Sequence, residues 1–552
     1  MVKILMSSVF GPFGVDDDWG RKENVMELFH NQVTREQGMF SLRFHHPSFG
    51  LHLLAENIDA ETHVLDFPTQ ARFIAELRKG YDYVGISFIA PNFVKARRMA
   101  ELVRQHAPAT QIILGGHGTH IPDLEKLIDA DHICRGEGVR WLRELLGEDP
   151  AQPIRHPAVK SALSKSMMGV RRPVEAAVLI PGVGCPNACR FCATSFFFDK
   201  RYDAYFDSGD ALFAAAVDVE KRLGMSEFFI MDENFLKREE RVRRFLELME
   251  DHDKHWKLSI FSSAETIGRV GVDLLRRLGV EFLWLGVESK REVYTKNEGV
   301  DFKALVAELR DAGIMVLASG ILFLEHHDRE TINEDIEFMT SLDADFVQFM
   351  QLGPMPVTEL FADYQQRGLL IETVPHEERH GQDRIWFRHP HFERDETHGI
   401  LKRAFEHEYH ANGPSLFRLF ETTARGAERD DGGSPRLAIR RQAFVDRCRD
   451  YRHIIRWMRF FAPTAKMRAQ AVELGAHYER ILGKETLLQR AVSYALFPLV
   501  AAEALRTRMG WNMYQPPTVI STFGRPERAL ANEPAAAPEL CLTPGLLAGP
   551  PR

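Results

Sequence analysis

Short apolar runs recur along this chain with amphipathic stretches between them, and that alternation constrains its fold more than any other feature. Runs too short for a helix bury themselves as strands, and strands separated by helices lie parallel. The first series is VKILM (2–6), THVLDF (62–67), YVGISFI (83–89), QIILGG (111–116) and HICRG (132–136). Amphipathic stretches such as NFVKARRMAELVRQHA (92–107) separate its members. The second series is EAAVLIPG (175–182), EFFIMDE (227–233), KLSIFSS (257–263), EFLWLGVES (281–289), IMVLASGILF (314–323) and DFVQFMQL (345–352). The pattern predicts an α/β protein: a doubly wound sheet over 1–150, then six βα units forming a partial barrel over 174–375. Both architectures place ligands beyond the carboxyl ends of their strands.

Between the two series, 151–173 is basic, contains Pro and is weakly periodic, and reads as a linker. From 376 to 520 the rhythm becomes helical, and 521–552 is a Pro/Ala-rich stretch that reads as a disordered tail. A length of 552 residues exceeds what one core serves. Charge is nearly balanced, 70 Lys+Arg against 78 Asp+Glu, which argues against a nucleic-acid partner. No uncharged apolar run of 18 residues appears, and the N-terminus lacks a signal-peptide h-region. With six Cys, three of them clustered, a cytoplasmic protein with one metal cluster fits better than a disulfide scaffold.

The clustered thiols lie in GVGCPNACRFCATS (182–195), as Cys185-x3-Cys189-x2-Cys192, directly after a predicted strand. Three thiolates at this spacing suit an iron–sulfur cluster by softness, and with no fourth Cys nearby one iron stays open to a ligand. The alternatives are a Cys3His zinc site or three unrelated buried thiols. No His lies between 157 and 251, so a local fourth zinc ligand is missing.

Cx3Cx2C after the first strand of six βα units resembles the radical S-adenosylmethionine superfamily. The resemblance implies a TIM-like partial barrel in which Cys185, Cys189 and Cys192 hold a [4Fe–4S] cluster. Its open iron binds the amino and carboxylate groups of S-adenosylmethionine, and reduction yields a 5′-deoxyadenosyl radical that takes a substrate hydrogen. Phe191 matches the family's aromatic before the third Cys. MDENF (231–235) resembles the family's acidic motif for the S-adenosylmethionine amino group, with Asp232 and Glu233 as candidates; a helix N-cap is the competing reading. LGVES (285–289) resembles the strand-end Glu-Ser that meets the ribose or methionine part, through Glu288 and Ser289. SSAE (262–265), with Ser263, is a weaker match. GPMPVTELF (353–361) resembles the Pro-rich segment after strand six, with Thr358 in the hydroxyl position.

In the first region GISFIAPN (85–92), ILGGHGTHIP (113–122) and DHICRGEGVRWLRELL (131–146) occur in the order seen in a cobalamin-binding domain. Standing before the Cys triplet, they resemble the Rossmann-like cobalamin-binding domain of one radical S-adenosylmethionine subclass. Ser87, Gly115, Gly116, His117 and Gly136 then line the corrin or its nucleotide tail; for His117 a turn-capping role competes. The Asp-x-His-x-x-Gly motif that supplies a cobalt ligand is absent from the loop at 7–20, so no residue is assigned to cobalt. No G-x-G-x-x-G follows the first strand, which removes a nicotinamide-cofactor reading.

The resemblance implies a cobalamin-dependent C-methyltransferase acting on an unactivated carbon of an apolar or natural-product-like small molecule. A flavodoxin, ferredoxin or reductase would serve as electron donor. Two alternatives stand beside it: a radical cyclase or rearrangement enzyme without methyl transfer, and a non-catalytic metal or ligand sensor. His407 and His410 sit one helical turn apart, a spacing more often met in surface groups than in metal ligands. WMRFFAP (457–463) and AVSYALFPLVAAEALRTRMGWNMY (491–514) read as core helices or as an interfacial face. The second option leads to a lipid-like substrate and peripheral membrane contact.

Overall fold

The computed structural model describes residues 2–10, 27–291, 299–511 and 516–524. Most of the loop at 7–20, and residues 525–552 of the Pro/Ala-rich stretch, lie outside them.

KILMSS is buried along nearly its whole length, which is possible only for a strand covered on both faces. It forms β1 (Lys3–Ser8), in the middle of a sheet. In chain order follow β2 (Arg43–His45), β3 (Glu61–Asp66), β4 (Tyr83–Ser87), β5 (Gln111–Gly115) and β6 (His132–Ile133). Strands β3, β1, β4, β5 and β6 pair parallel in that order. Leu5, Leu65, Val84 and Leu114 pack against one helix layer, and Ile4, Met6 and Val64 against another.

Residues 151–173 are more than a connection. They supply β7 (Ser164–Met167) and β8 (Val170–Arg172), a hairpin that extends β2 into a three-stranded antiparallel sheet. Their alternation is masked in the sequence because the strands are only four and three residues long.

The second series gives β9 (Ala176–Leu179), then a short hairpin of β10 (Gly182–Gly184) and β11 (Tyr202–Ala204). After it come β12 (Glu227–Ile230), β13 (Lys257–Ser262), β14 (Val280–Glu288), β15 (Met315–Leu322) and β16 (Phe346–Gln351). β9 and β12–β16 form one parallel sheet, in chain order across it. One face packs on the sheet's own helices through Phe228, Ile260, Leu283 and Val316. The opposite face carries Phe229, Phe282, Trp284 and Met315 (alternate positions of the same strands). Helix Gly209–Leu223 shows how local chemistry sets the elements: Ser208 caps its first turn by accepting from Ala211 N–H, and Gly224, in the left-handed region, ends it.

Six helices follow from Arg394 to Arg508. The chain then returns to the first sheet as β17 (Val519–Phe523), antiparallel to β3. Part of the expected tail is thus an edge strand. Ile520 and Thr522 point away from the core, so its alternation is hardly hydrophobic.

Candidate functional site

The cysteine loop is held at the carboxyl end of β9 by its hairpin. Gly184 stands immediately before Cys185 at φ 85°, and a Cβ there would lie 2.3 Å from the Arg201 carbonyl oxygen. At Gly182 a Cβ would lie 2.6 Å from the Asp203 carbonyl oxygen and 2.7 Å from the Tyr202 ring. Only glycine lets β10 and β11 approach and turn the loop outward. Within the loop Cys192 N–H donates to the Cys189 carbonyl at 2.8 Å, and Ser195 Oγ donates to the Cys185 carbonyl at 2.8 Å. Cys192 starts helix Ala193–Phe197. Burial pushes its thiol up, as do the carboxylate of Glu233 and the other two thiols, so these four groups share one neighbourhood.

The three thiols do not all come within 4.8 Å of one another. A single tetrahedral ion with metal–sulfur bonds of about 2.3 Å would need them about 3.8 Å apart. Their separation exceeds what three thiolates on one zinc ion would show. The group that does meet the closer criterion among the described residues is His326, His327 and Asp335. His327 and Asp335 are tied together without an ion, His327 Nε2 to Asp335 at 2.9 Å and its Nδ1 accepting from Leu324 N–H at 3.1 Å, whereas His326 Nε2 has no hydrogen-bond partner among the described residues.

The two neighbouring acids have different fates. Asp232 is buried and committed, its Oδ2 2.6 Å from Arg241 and 2.7 Å from the Tyr202 hydroxyl. Its Oδ1 accepts from Asn234 N–H at 3.2 Å. It therefore acts as a lock between the hairpin and the helix after β12. Glu233 has no hydrogen-bond partner among the described residues and is open to solvent, yet protein encloses it enough for burial to push its carboxyl up to about 7, with Asp232 adding to the effect. A carboxylate so placed is ready for a cation.

Ser263 Oγ is engaged by Thr266 at 2.8 Å and by Asn234 at 3.2 Å. Asn234, weighed in the sequence only as a helix N-cap, also accepts from Ser262 at 2.9 Å, so it ties the ends of β12 and β13 together. Glu288 ends β14 in the left-handed region at φ 67°, where the pairing with β15 slips register. Such strain in a non-glycine residue gathers at working sites. Ser289 is buried, bonds to Asp335 and caps Arg291 N–H. Phe191 packs against the barrel core. Thr358 caps helix Glu359–Gln366 by accepting from Phe361 N–H at 3.1 Å, so its hydroxyl has a local task. His407 meets Glu337 at 3.1 Å on an exposed surface, apart from this site.

On the first domain the singled-out residues gather at the carboxyl edge. Ser87 and Gly115 end β4 and β5. Gly116 sits at φ 85°, and a Cβ there would lie 2.6 Å from the Phe88 carbonyl oxygen. Gly115 has open space where a Cβ would stand. A strand edge stripped of side chains is what a bulky planar ligand needs. His117 stacks against Phe197, with ring centroids 4.3 Å apart; its residue surface is still exposed, yet the protein around its ring pushes its pKa down to about 4. Gly136, at φ 89°, faces the Phe197 carbonyl. The carboxyl edge of the first sheet thus abuts the helix that begins at Cys192. Tyr205 to Glu137 at 2.7 Å and Arg140 to Asp203 at 3.2 Å reinforce the junction. Phe197 carried no motif and could not be found by spacing.

The family described as B12 binding domain matches residues 38–146, and the Radical SAM superfamily matches 179–339. An uncharacterized methyltransferase of Pyrococcus horikoshii is 22% identical over 372 residues, 60% of this chain and 80% of that protein. The anaerobic magnesium-protoporphyrin IX monomethyl ester cyclase of Rubrivivax gelatinosus is 24% identical over 363 residues, 55% of this chain and 62% of that one. In fold, the chain is similar to the radical S-adenosylmethionine methyltransferase TsrM from Kitasatospora setae, solved with cobalamin and a [4Fe–4S] cluster bound. The TM-score is 0.51 at 16% identity, covering 82% of this chain and all of that one. The two matched families, in this order, are the cobalamin-holding and the cluster-holding parts of one architecture. Residues 38–146 thus match a B12-binding domain and residues 179–339 a radical S-adenosylmethionine domain, in that order along the chain.

Proposed function

We propose that this protein is a cobalamin-dependent radical S-adenosylmethionine C-methyltransferase acting on an unactivated carbon of a small apolar molecule. One observation carries the reading: the glycine-lined edge of the B12-type sheet lies directly on the helix that starts at Cys192, through His117 and Phe197 at 4.3 Å. That contact supports two cofactor sites lying side by side. When bound, the cluster with S-adenosylmethionine supplies a carbon-centred radical and the corrin supplies a methyl group.

The chain's own residues bind, orient and exclude. Cys185, Cys189 and Cys192 are the cluster ligands, presented by a loop that the β10–β11 hairpin holds rigid. Glu233 pairs with the S-adenosylmethionine ammonium; Asp232 fixes the loop through Arg241 and Tyr202. Glu288, with the backbone near Ser263 and Ser289, lines the rest of that cofactor. Ser87, Gly115, Gly116, His117 and Gly136 form the corrin face, and Phe197 shuts water out between the sites. The working units are 1–150, 174–375 and 376–520, with 151–173 as a structured strap between the first two. An external flavodoxin- or ferredoxin-type donor supplies the electron.

No helix among the described residues is long and apolar enough to cross a membrane. We place the protein in the cytoplasm. A peripheral lipid contact is supported by helix Phe497–Arg508, whose outer stripe is Leu499, Ala502, Leu505 and then Met509, while Glu503 and Thr507 turn inward. An exposed apolar stripe with Arg508 in the last turn of the same helix suits an anionic bilayer surface.

The test is anaerobic incubation with methyl-labelled S-adenosylmethionine, cobalamin and a strong reductant. Label in the product supports the reading; 5′-deoxyadenosine without methylated product moves it to a cyclase or rearrangement enzyme, the activity that names the Rubrivivax relative. Material free of iron after anaerobic preparation would overturn both.

A further inference from the structure

A cavity of about 500 Å³ lies at the opposite end of the barrel from the cysteines, within the range of small-molecule sites. Residues from the amino-terminal parts of the barrel strands line it: Glu227 and Phe229 on β12, Lys257 and Ser259 on β13, with Phe282 and the mid-strand Trp284 on β14. The β2–β7–β8 sheet and helix Pro435–Phe461 close it. Trp284 precedes Glu288 by four residues, about 13 Å along the strand at about 3.3 Å per residue, so the cavity is distinct from the cysteine end.

Its walls are aromatic. Phe29 meets Phe44 at 4.8 Å and Phe346 at 5.7 Å, and Phe282 meets Phe346 at 6.1 Å. Behind Trp284, Phe261 stacks at 5.1 Å and continues to Phe229 at 5.6 Å. These two groups offer flat surfaces to a flat body.

The charges around it are mostly satisfied. Glu227 holds Lys257 at 2.7 Å, with Arg447 at 3.9 Å; Glu281 holds Arg447 at 2.6 Å. Asp450 holds Arg172 at 3.5 Å, and Asp446 pairs with Arg449. Glu175 stands on the exposed rim. Lys165, on β7, makes no side-chain hydrogen bond and no ion pair among the described residues. Its ammonium lies 6.0 Å from the centre of the Phe44 ring. Burial presses its pKa down, partly offset by Glu227 and Glu175 and reinforced by Arg447 and Arg172. The ammonium thus faces an aromatic chamber with no contact ion pair among the described residues, Glu227 and Glu175 acting on it only at longer range.

We propose that this cavity binds a flat apolar carboxylate, with its acid group on Lys165 and its body between the aromatic side chains. The inference does not depend on the radical chemistry, and its test needs neither cluster nor cobalamin. Pyrenebutyrate and the uncharged pyrenebutanol are titrated into the full chain and followed by fluorescence anisotropy. The acid is expected to bind at least about tenfold more tightly than the alcohol. Lys165→Met should erase that ratio while leaving alcohol binding unchanged, which also reports an intact cavity, and Lys165→Arg should keep it. Leu505→Glu, on the exposed helix, should change nothing. Equal affinities in the wild type, no saturable binding, a ratio that survives Lys165→Met, or binding lost in Leu505→Glu would each overturn the proposal.

Discussion

The two facing edges of this protein prepare for their cofactors in opposite ways. The B12-type edge works by subtraction: Gly115 leaves space, and Gly116 and Gly118 let the backbone close on Phe88, where a Cβ would lie 2.6 Å from its carbonyl and 2.3 Å from its ring. The barrel edge works by addition: thiols, Glu233 and the Asp232–Arg241–Tyr202 lock crowd the strand ends. A large neutral ring system asks for room and shape, whereas a metal cluster and a charged sulfonium ask for ligands and counter-charge. If that contrast is correct, the two edges should fail independently and by different signs of substitution.

The largest effect belongs to the thiols. Cys185→Ala, Cys189→Ala or Cys192→Ala should each lower turnover at least about 1000-fold, about 4 kcal/mol in barrier terms, with loss of bound iron and of the broad visible absorption. Cobalamin binding, measured separately, should survive. A variant that keeps its iron and turnover would break the contrast at once.

Next comes Asp232→Asn, which separates lock from ligand. Arg241 and Asp232 are almost wholly buried, so removing one charge strands the other, a loss of about 3–5 kcal/mol. Thermal or denaturant unfolding should show it even without cofactors. Gly116→Ala should weaken cobalamin binding by about tenfold or more, since φ 85° and the Phe88 carbonyl both resist a side chain, while iron content holds. Glu233→Gln should not lower stability and should raise the S-adenosylmethionine Kd about tenfold, about 1.4 kcal/mol. If Asp232→Asn and Glu233→Gln behaved alike, the division of labour between the two acids would be wrong.

Much of this was readable before any coordinates. The eleven runs of the two series reappear as strands, because a buried parallel strand is written as a dense apolar run. The Cys spacing and the glycines at strand ends were legible because both are short-range signals. What stayed hidden was relational. Strands β2, β7, β8, β10 and β11 are three or four residues long and take their identity from a partner far away in sequence. Asp232 and Glu233 are adjacent in a single motif, and only Tyr202 and Arg241, 30 residues before and 9 residues after Asp232, decide which acid is free. Phe197 acquires its role solely because the first sheet lands on it.

The smallest expected effect sharpens the comparison along a different axis, acidity. His30 is pushed down to about 3, and His45, His117 and His156 to about 4, in each case chiefly by burial. All four precede the barrel. A histidine whose folded pKa is depressed contributes stability above its unfolded pKa of about 6.5 and loses it as the solution is acidified toward the folded value. Glu27 runs the other way: raised to about 7 by burial, it contributes fully only at low pH and loses that contribution as pH rises through 7. Four histidines against two acids, Glu27 and the similarly raised Glu233, make acid the stronger perturbation. Lowering pH from 7.5 to 5.5 should therefore reduce Tm, and hydrogen exchange should show the first loss of protection around 27–45 and 117–160, with β12–β16 still protected. A Tm flat across that interval, or earlier opening in the barrel strands, would remove acidity as a difference between the two halves.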